Sequence, residues 1–243
     1  MQAWGLSDPG IVRSENQDAF AIEQLDDSTL LAVVCDGMGG ARAGNVASDL
    51  ALDVFTTTFL RSWRPRPTEE SITRIMQEGM SLANRAVYEQ AQSDESYLGM
   101  GTTLVAAVVG QGRAAILNIG DSRAYRCGGD GISCVTVDHS FVQMMVDRGA
   151  LTKAQAMSHP DKNLITRAVG TADTVEGDIY FIDFSAGENL LLCSDGLSNV
   201  VTEQELLFEI VHGCEKSDCC RRLLEIARKR GAPDNVTAIL ISG

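Results

Sequence analysis

Five apolar runs in this 243-residue chain have an aspartate within two residues of one end. Asp18 opens Ala19 to Glu23, Asp36 closes Leu30 to Cys35, Asp121 follows Ala114 to Ile119, Asp195 follows Asn189 to Cys193, and Asp234 precedes Val236 to Ile241. Runs of this length, rich in Val, Ile, Leu and Ala and bounded by turn residues, are expected to be strands. Strands packed side by side bring such ends to one rim, where loops sit on a rigid scaffold. Carboxylates gathered there repel one another and raise each other's pKa values unless cations compensate. A donor set made of oxygen alone, without matched His or Cys, selects hard divalent ions: Mg²⁺ or Mn²⁺, with manganese preferred for activity in vitro.

Two further strands are predicted at Thr103 to Val109 and Ile179 to Phe184. Val105 to Val109 and Ala114 to Ile119 flank Gly-Gln-Gly, and Tyr180 to Phe184 and Leu190 to Cys193 flank Ser-Ala-Gly-Glu. Both pairs read as hairpins, so the sheets should be largely antiparallel. Helical patterns run from about Asn45 to Trp63 and from about Thr68 to Gln92, joined by Arg-Pro-Arg-Pro, which helices avoid internally. Two more amphipathic helices close the chain, at Glu203 to His212 and Ser217 to Arg230. Bunched strands with helices segregated between them indicate an α+β sandwich. Without repeats or a flexible linker, residues 1–243 read as one domain. The stretch from Phe141 to Arg167, broken at Gly149 and His159-Pro160, reads either as a flap or as an ordinary surface helix pair.

Composition excludes several classes. A net charge of −13 with no basic block would repel a polyanion, so nucleic acid is not an expected partner. No apolar run approaches the roughly 18 residues of a membrane span, and the N-terminus lacks a secretory pattern; a cytoplasmic address is expected. Seven cysteines, an odd number, lie mostly in apolar contexts such as Cys35, Cys193 and Cys214, and are read as reduced core residues. No cysteine is followed six positions later by arginine, and neither a GxxxxGK[ST] loop nor a GxGxxG loop occurs, which argues against a cysteine phosphatase, a kinase or a nucleotide hydrolase.

Glycines accompany three of the aspartates, in Asp36-Gly37, Gly120-Asp121 and Asp195-Gly196. Each Asp-Gly taken singly is commonly a turn, but a missing side chain also lets a backbone carbonyl such as that of Gly37 approach an ion. Read as an ordered set, Arg13-Ser-Glu-Asn-Gln-Asp18, Asp36-Gly-Met-Gly-Gly40, Gly101-Thr-Thr103, Asn118-Ile-Gly-Asp-Ser-Arg-Ala124, Asp138-His-Ser140, Ser194-Asp-Gly196 and Asp234-Asn-Val-Thr237 resemble the metal-dependent protein phosphatase 2C (PPM) family, in its compact bacterial Ser/Thr phosphatase form.

The resemblance implies a four-layer α-β-β-α sandwich, with two central, mainly antiparallel sheets flanked by helical pairs. It implies hydrolysis of phosphoserine and phosphothreonine in proteins by a metal-activated water, without a covalent intermediate. Asp36, Asp195 and Asp234 would be the catalytic ligands. Asp36 would bridge two cations, with the Gly37 carbonyl completing one site, Asp195 and Asp234 the other, and Asp18 beside them; Asp121 with Asp195 would hold a weaker third ion. Arg13 would bind the substrate phosphate, which suits a guanidinium that can grip two oxygens at once; the alternative is a surface arginine paired with Glu15 or Asp18. Met38 stands where some eukaryotic relatives carry histidine, and methionine cannot donate a proton. His139 is therefore expected to fix local structure, with water among the cations as the acid. Phosphoprotein substrates, an opposing Ser/Thr kinase and a monomeric state complete the implied picture. The rival readings are a catalytically inactive phosphatase-fold module and another two-metal phosphoesterase.

Overall fold

Continuous apolar strands, rather than alternating ones, indicate sheets covered on both faces, and the computed structural model, which describes residues 1–243 apart from the side chains of Ala41 and Arg42, has two of them. One sheet has the order β1 (Gln2–Asp8), β11 (Val236–Ser242), β10 (Asn189–Cys193), β7 (Arg123–Gly128), β8 (Gly131–Cys134). The other runs β2 (Asp18–Asp26), β3 (Thr29–Met38), β5 (Leu104–Gly110), β6 (Arg113–Ile119), β9 (Asp178–Asp183), with the two-residue β4 (Gly101–Thr102) on the end of β3. Every pairing is antiparallel.

The period of two assigns each strand face to a layer. In β3, Leu31, Val33 and Cys35 pack under α1 (Gly40–Ser62) and α2 (Glu69–Ser93), while Leu30, Ala32 and Val34 join Leu190, Leu192, Ile239 and Ile241 in the seam between the sheets. On the far side, Leu191, Cys193, Ala238 and Leu240 face α6 (Glu203–His212) and α7 (Cys219–Lys229). Full burial of one such aliphatic side chain is worth about 1.5–3 kcal/mol. The result is the expected α-β-β-α sandwich. The boundaries of α6 match expectation because a capping box fixes its start: Thr202 Oγ1 accepts from the Glu205 amide, and the Glu205 carboxylate accepts from the Thr202 amide.

The β5–β6 hairpin forms as expected, closing through Gln111 and Gly112, both at positive φ (55° and 79°), as a two-residue primed turn requires. The second expected hairpin does not form. β9 pairs with β6 in one sheet, whereas β10 lies between β11 and β7 in the other. The turn length suits a hairpin, but all five residues of β10 are buried in that central position, and Ser185 to Glu188 step across the seam from buried Phe184. Asp36 lies two residues inside β3, because β4 extends the strand through Gly37↔Thr102 and Met38↔Gly101. Cys214 is exposed, as is Cys134; the other five cysteines are buried and all seven are free.

β1, β4, β7 and β8 carry too little apolar signal to be read from sequence. In β7, Arg123 and Arg126 mask a strand whose Ala124, Tyr125 and Cys127 are buried. The segment from Phe141 to Arg167 holds α3 (Phe141–Asp147) and α4 (Lys153–Met157), tied to the body by Phe141 N donating to Leu164 O (2.8 Å) and Thr166 N donating to His139 O (2.7 Å). α5 (Asp195–Ser198) is a single turn after β10. Among the described residues, no helix is long and apolar enough to cross a membrane.

Candidate metal centre

The antiparallel register gathers the aspartates. Asp18 and Asp36 are cross-strand partners in β2 and β3, and residues so paired have Cα atoms about 4.5–5.5 Å apart. β6 delivers Asp121 through Thr103, whose amide donates to Asp36 O (2.9 Å), and whose hydroxyl accepts from the Asp36 amide (2.9 Å) and bonds Ser122 Oγ (2.7 Å). Ser194 N donates to Thr237 O (3.1 Å), which sets Asp195 beside Asp234. Asp36, Gly37, Asp121, Asp195, Asp234 and Arg13 all line one cavity of about 940 Å³, with Asp18 beneath its floor.

Gly37 is required by space. Its amide donates to Gln17 O (3.0 Å), and a Cβ there would stand 2.1 Å from the Gly44 carbonyl of α1. No side chain fits, so the chain can hold its backbone against the cavity only with glycine.

The charge distribution is the unusual feature. Asp18 is 8% exposed; Ser194 Oγ (2.8 Å) and Thr237 Oγ1 (2.6 Å) donate to its Oδ2, while Oδ1 is buried with no partner among the described residues. Burial, partly offset by those hydroxyls, pushes its pKa up to about 6. Burial, then Asp195 and Asp138, push Asp121 up to about 8. Asp36 is driven well above the ordinary carboxylate range by burial and by Asp18, Asp195, Asp121 and Asp234 together; Asp195 is raised by burial and by Asp234. Asp36 and Asp195 retain some exposure, and both line the cavity.

An all-oxygen cluster with an orphaned buried carboxylate oxygen fits hard divalent cations. Among the described residues no group of three acidic, His or Cys side chains already forms a ready coordination set.

Arg13 stands on the rim, half-exposed, and donates to Asp234 Oδ2 (2.9 Å). Its partner is therefore neither Glu15 nor Asp18 but a carboxylate 221 residues away, and its remaining N–H donors are available to an anion. Asn235 secures the loop that carries it: Nδ2 donates to Pro9 O and Glu15 O (both 2.9 Å), and Oδ1 accepts from Gln17 N (2.9 Å).

His139 is 7% exposed and fully engaged. Gly120 N donates to its Nδ1 (3.2 Å), which leaves the ring proton on Nε2, 3.1 Å from Asp178 Oδ2. Behind Asp121, Arg123 forms a two-pronged pair with Asp138 (2.8 and 2.6 Å). Thr103, Ser194, Thr237, Arg123, Asp138 and Asn235 all lie inside the motif segments. Sequence reasoning assigned them no task, because their contacts span up to 226 residues.

With this geometry in place, the similarities are specific. A model of the protein phosphatase 2C family matches residues 12–240. The serine/threonine phosphatase stp of Listeria innocua is 36% identical over 248 aligned residues, covering 99% of this chain and 95% of its own. The solved S. agalactiae serine/threonine phosphatase superposes with a TM-score of 0.90 at 33% identity, covering 100% of this chain and 99% of that one. The catalytic domain of the serine threonine protein phosphatase PstP, solved in complex with two manganese ions, superposes with a TM-score of 0.83 at 31% identity, covering 98% and 96%. Family match, full-length relatives and shared fold agree, and the chain belongs to the protein phosphatase 2C family.

Proposed function

We propose that this enzyme hydrolyses phosphoserine and phosphothreonine esters in proteins, using divalent cations held among Asp18, Asp36, Asp121, Asp195 and Asp234. The supporting observation is the cluster itself: Asp36, Asp121, Asp195 and Asp234 line one cavity with Asp18 beside them, and Asp18, Asp36, Asp121 and Asp195 have raised pKa values, Asp18 also having a buried oxygen that lacks a partner. Such a cluster is costly without cations and suited to holding them. Family membership supports the same reading.

Asp36, which four neighbouring aspartates surround, would hold the cations together with the Gly37 carbonyl, Asp195 and Asp234. Asp18 would support them through its free Oδ1, and Asp121 with Asp195 would hold a weaker third ion. Cations in these sites supply Lewis-acid activation of a water nucleophile and neutralise phosphate oxygens. Arg13 orients the phosphate by donating to its oxygens while Asp234 steadies the guanidinium. His139 positions Gly120, next to Asp121, and transfers no proton; Met38 has none, so the leaving oxygen takes its proton from water in the cavity. Mn²⁺ or Mg²⁺ fits the oxygen donors, and the manganese seen in PstP favours the former.

In this reading residues 1–243 form one catalytic domain. The segment at 141–167 acts as a flap beside the substrate, through Asn163 and Ile165 on the cavity wall. The enzyme works in the cytoplasm as a monomer in signalling, opposing a Ser/Thr kinase. Neither a catalytically inactive module nor another class of two-metal phosphoesterase finds support among the relatives. Phosphate release from a phosphothreonine peptide tests the reading. It should require Mn²⁺ or Mg²⁺, stop on chelation and resist thiol alkylation; release unaffected by chelation would refute it.

A further inference from the structure

β11 places a polar side chain where its own pattern calls for an apolar one. Alternate residues of the strand face the seam between the sheets: Ile239 and Ile241 do so, and Thr237 has the same parity. Thr237 is fully buried. Valine has the same branched shape and suits a strand as well, so the strand by itself gives no reason for a hydroxyl.

That hydroxyl is the middle member of a hydrogen-bond chain that crosses from one sheet to the other. Thr237 Oγ1 donates to Asp18 Oδ2 in β2 (2.6 Å), since an ionised carboxylate can only accept. Its single proton is thereby committed, so the contact with Ser7 Oγ, its cross-strand partner in β1 (2.7 Å), uses the Ser7 proton. Ser7 Oγ in turn accepts from Asn16 Nδ2 (2.8 Å), and Asn16 Oδ1 accepts from the Asp18 amide (3.2 Å). Ser194 closes the other side: its hydroxyl donates to the same Asp18 oxygen (2.8 Å) while accepting from the Thr237 amide (2.9 Å). The protons therefore all point one way, from Asn16 through Ser7 and Thr237 to the carboxylate. The two ends of the chain serve different parts of the site. Asp18 faces Asp36 across the β2–β3 pairing. Ser7 and Asn16 stand on either side of residues 8–15, which carry Arg13, so their bond staples the base of that loop.

We infer that Thr237 is a positioning residue that couples the cation site to the phosphate-binding loop, holding the Asp18 carboxylate in one orientation through its own hydroxyl and the base of the Arg13 loop through Ser7. The inference rests on the proposed function, which puts cations beside Asp18 and the substrate phosphate on Arg13.

Variants of the full chain separate the two ends. Binding of Mn²⁺, read from the electron paramagnetic resonance of the free ion, is set beside kcat and KM for phosphate release from a phosphothreonine peptide. Thr237→Val should weaken Mn²⁺ binding at least about tenfold, as loss of a group that orients a metal-site carboxylate commonly does, and should raise KM for the peptide as well. Thr237→Ser, which keeps the hydroxyl, should return Mn²⁺ affinity to within about threefold of wild type. Ser7→Ala cuts the chain beyond Thr237, so it should leave Mn²⁺ affinity unchanged and raise KM about fivefold, the worth of one hydrogen bond. A merely structural role would lower the melting temperatures of these variants and leave Mn²⁺ affinity and KM alone. Thr237→Val with wild-type Mn²⁺ affinity, Thr237→Ser as weak as Thr237→Val, or Ser7→Ala with wild-type KM would overturn the inference, while wild-type turnover left the proposed function standing. A wild-type protein that neither binds Mn²⁺ nor releases phosphate would overturn both.

Discussion

Asp36 is the shared ligand of the proposed metal centre, and its environment predicts opposite effects of one substitution. Asp36→Asn removes a charge that burial and four neighbouring aspartates oppose. The metal-free protein should therefore be as stable as wild type or more so, while phosphate release falls by at least about a hundredfold because the shared ligand is gone. Thermal unfolding in chelator, set beside steady-state turnover, checks both; a variant destabilised without metal would show that the carboxylate serves the fold. Asn235 acts on the same site from a distance. Its three hydrogen bonds hold the loop that carries Arg13, so Asn235→Ala should cost about 2–3 kcal/mol of stability and raise KM for a phosphopeptide more than it lowers kcat. His139→Ala should keep activity within about tenfold, since the ring's one proton is directed at Asp178; a loss of several orders of magnitude in kcat would make it the general acid.

At the scale of elements, the apolar strands were legible because both faces of each sheet are covered, which produces unbroken hydrophobic runs. The aspartates at their ends were legible for the same reason: a charge beside such a run stands out. Strands held by distant partners were not. Arg123 and Arg126 give β7 the look of a surface loop, yet their charges are met by Asp138 and Glu188, far along the chain. The turn at Ser185 to Glu188 has a hairpin's length, and only the partners of β10 reveal that it changes sheets. Arg13 shows the same limit, because sequence offers only neighbours as partners and the carboxylate it meets belongs to the loop before β11.

For the whole molecule, the raised carboxylate pKa values set the sign of its response to pH. Asp18 near 6 and Asp121 near 8 stand above their ordinary 3.8, so between about pH 4 and pH 8 the metal-free native state holds protons that the unfolded chain has lost. Stability contributed by these groups is therefore present at the acidic end of that window and lost as pH rises through it. Protons and cations compete for the same oxygens, so stabilisation by Mn²⁺ should grow over the same interval, reaching about 2.7 kcal/mol at a hundredfold excess over Kd. Melting curves in chelator should fall from about pH 5 to about pH 8, less steeply for Asp121→Asn, and the shift on adding Mn²⁺ should be larger at the upper end. A net charge of −13 is compatible with an anionic substrate only if cations reverse the local field.

Anomalous diffraction from crystals grown with Mn²⁺ tests that reversal most directly. Two strong peaks should lie in the large cavity, both in contact with Asp36, one also with the Gly37 carbonyl and the other with Asp195 and Asp234. Crystals in which Asp36, Asp195 and Asp234 point apart, with no anomalous density between them, would contradict the account.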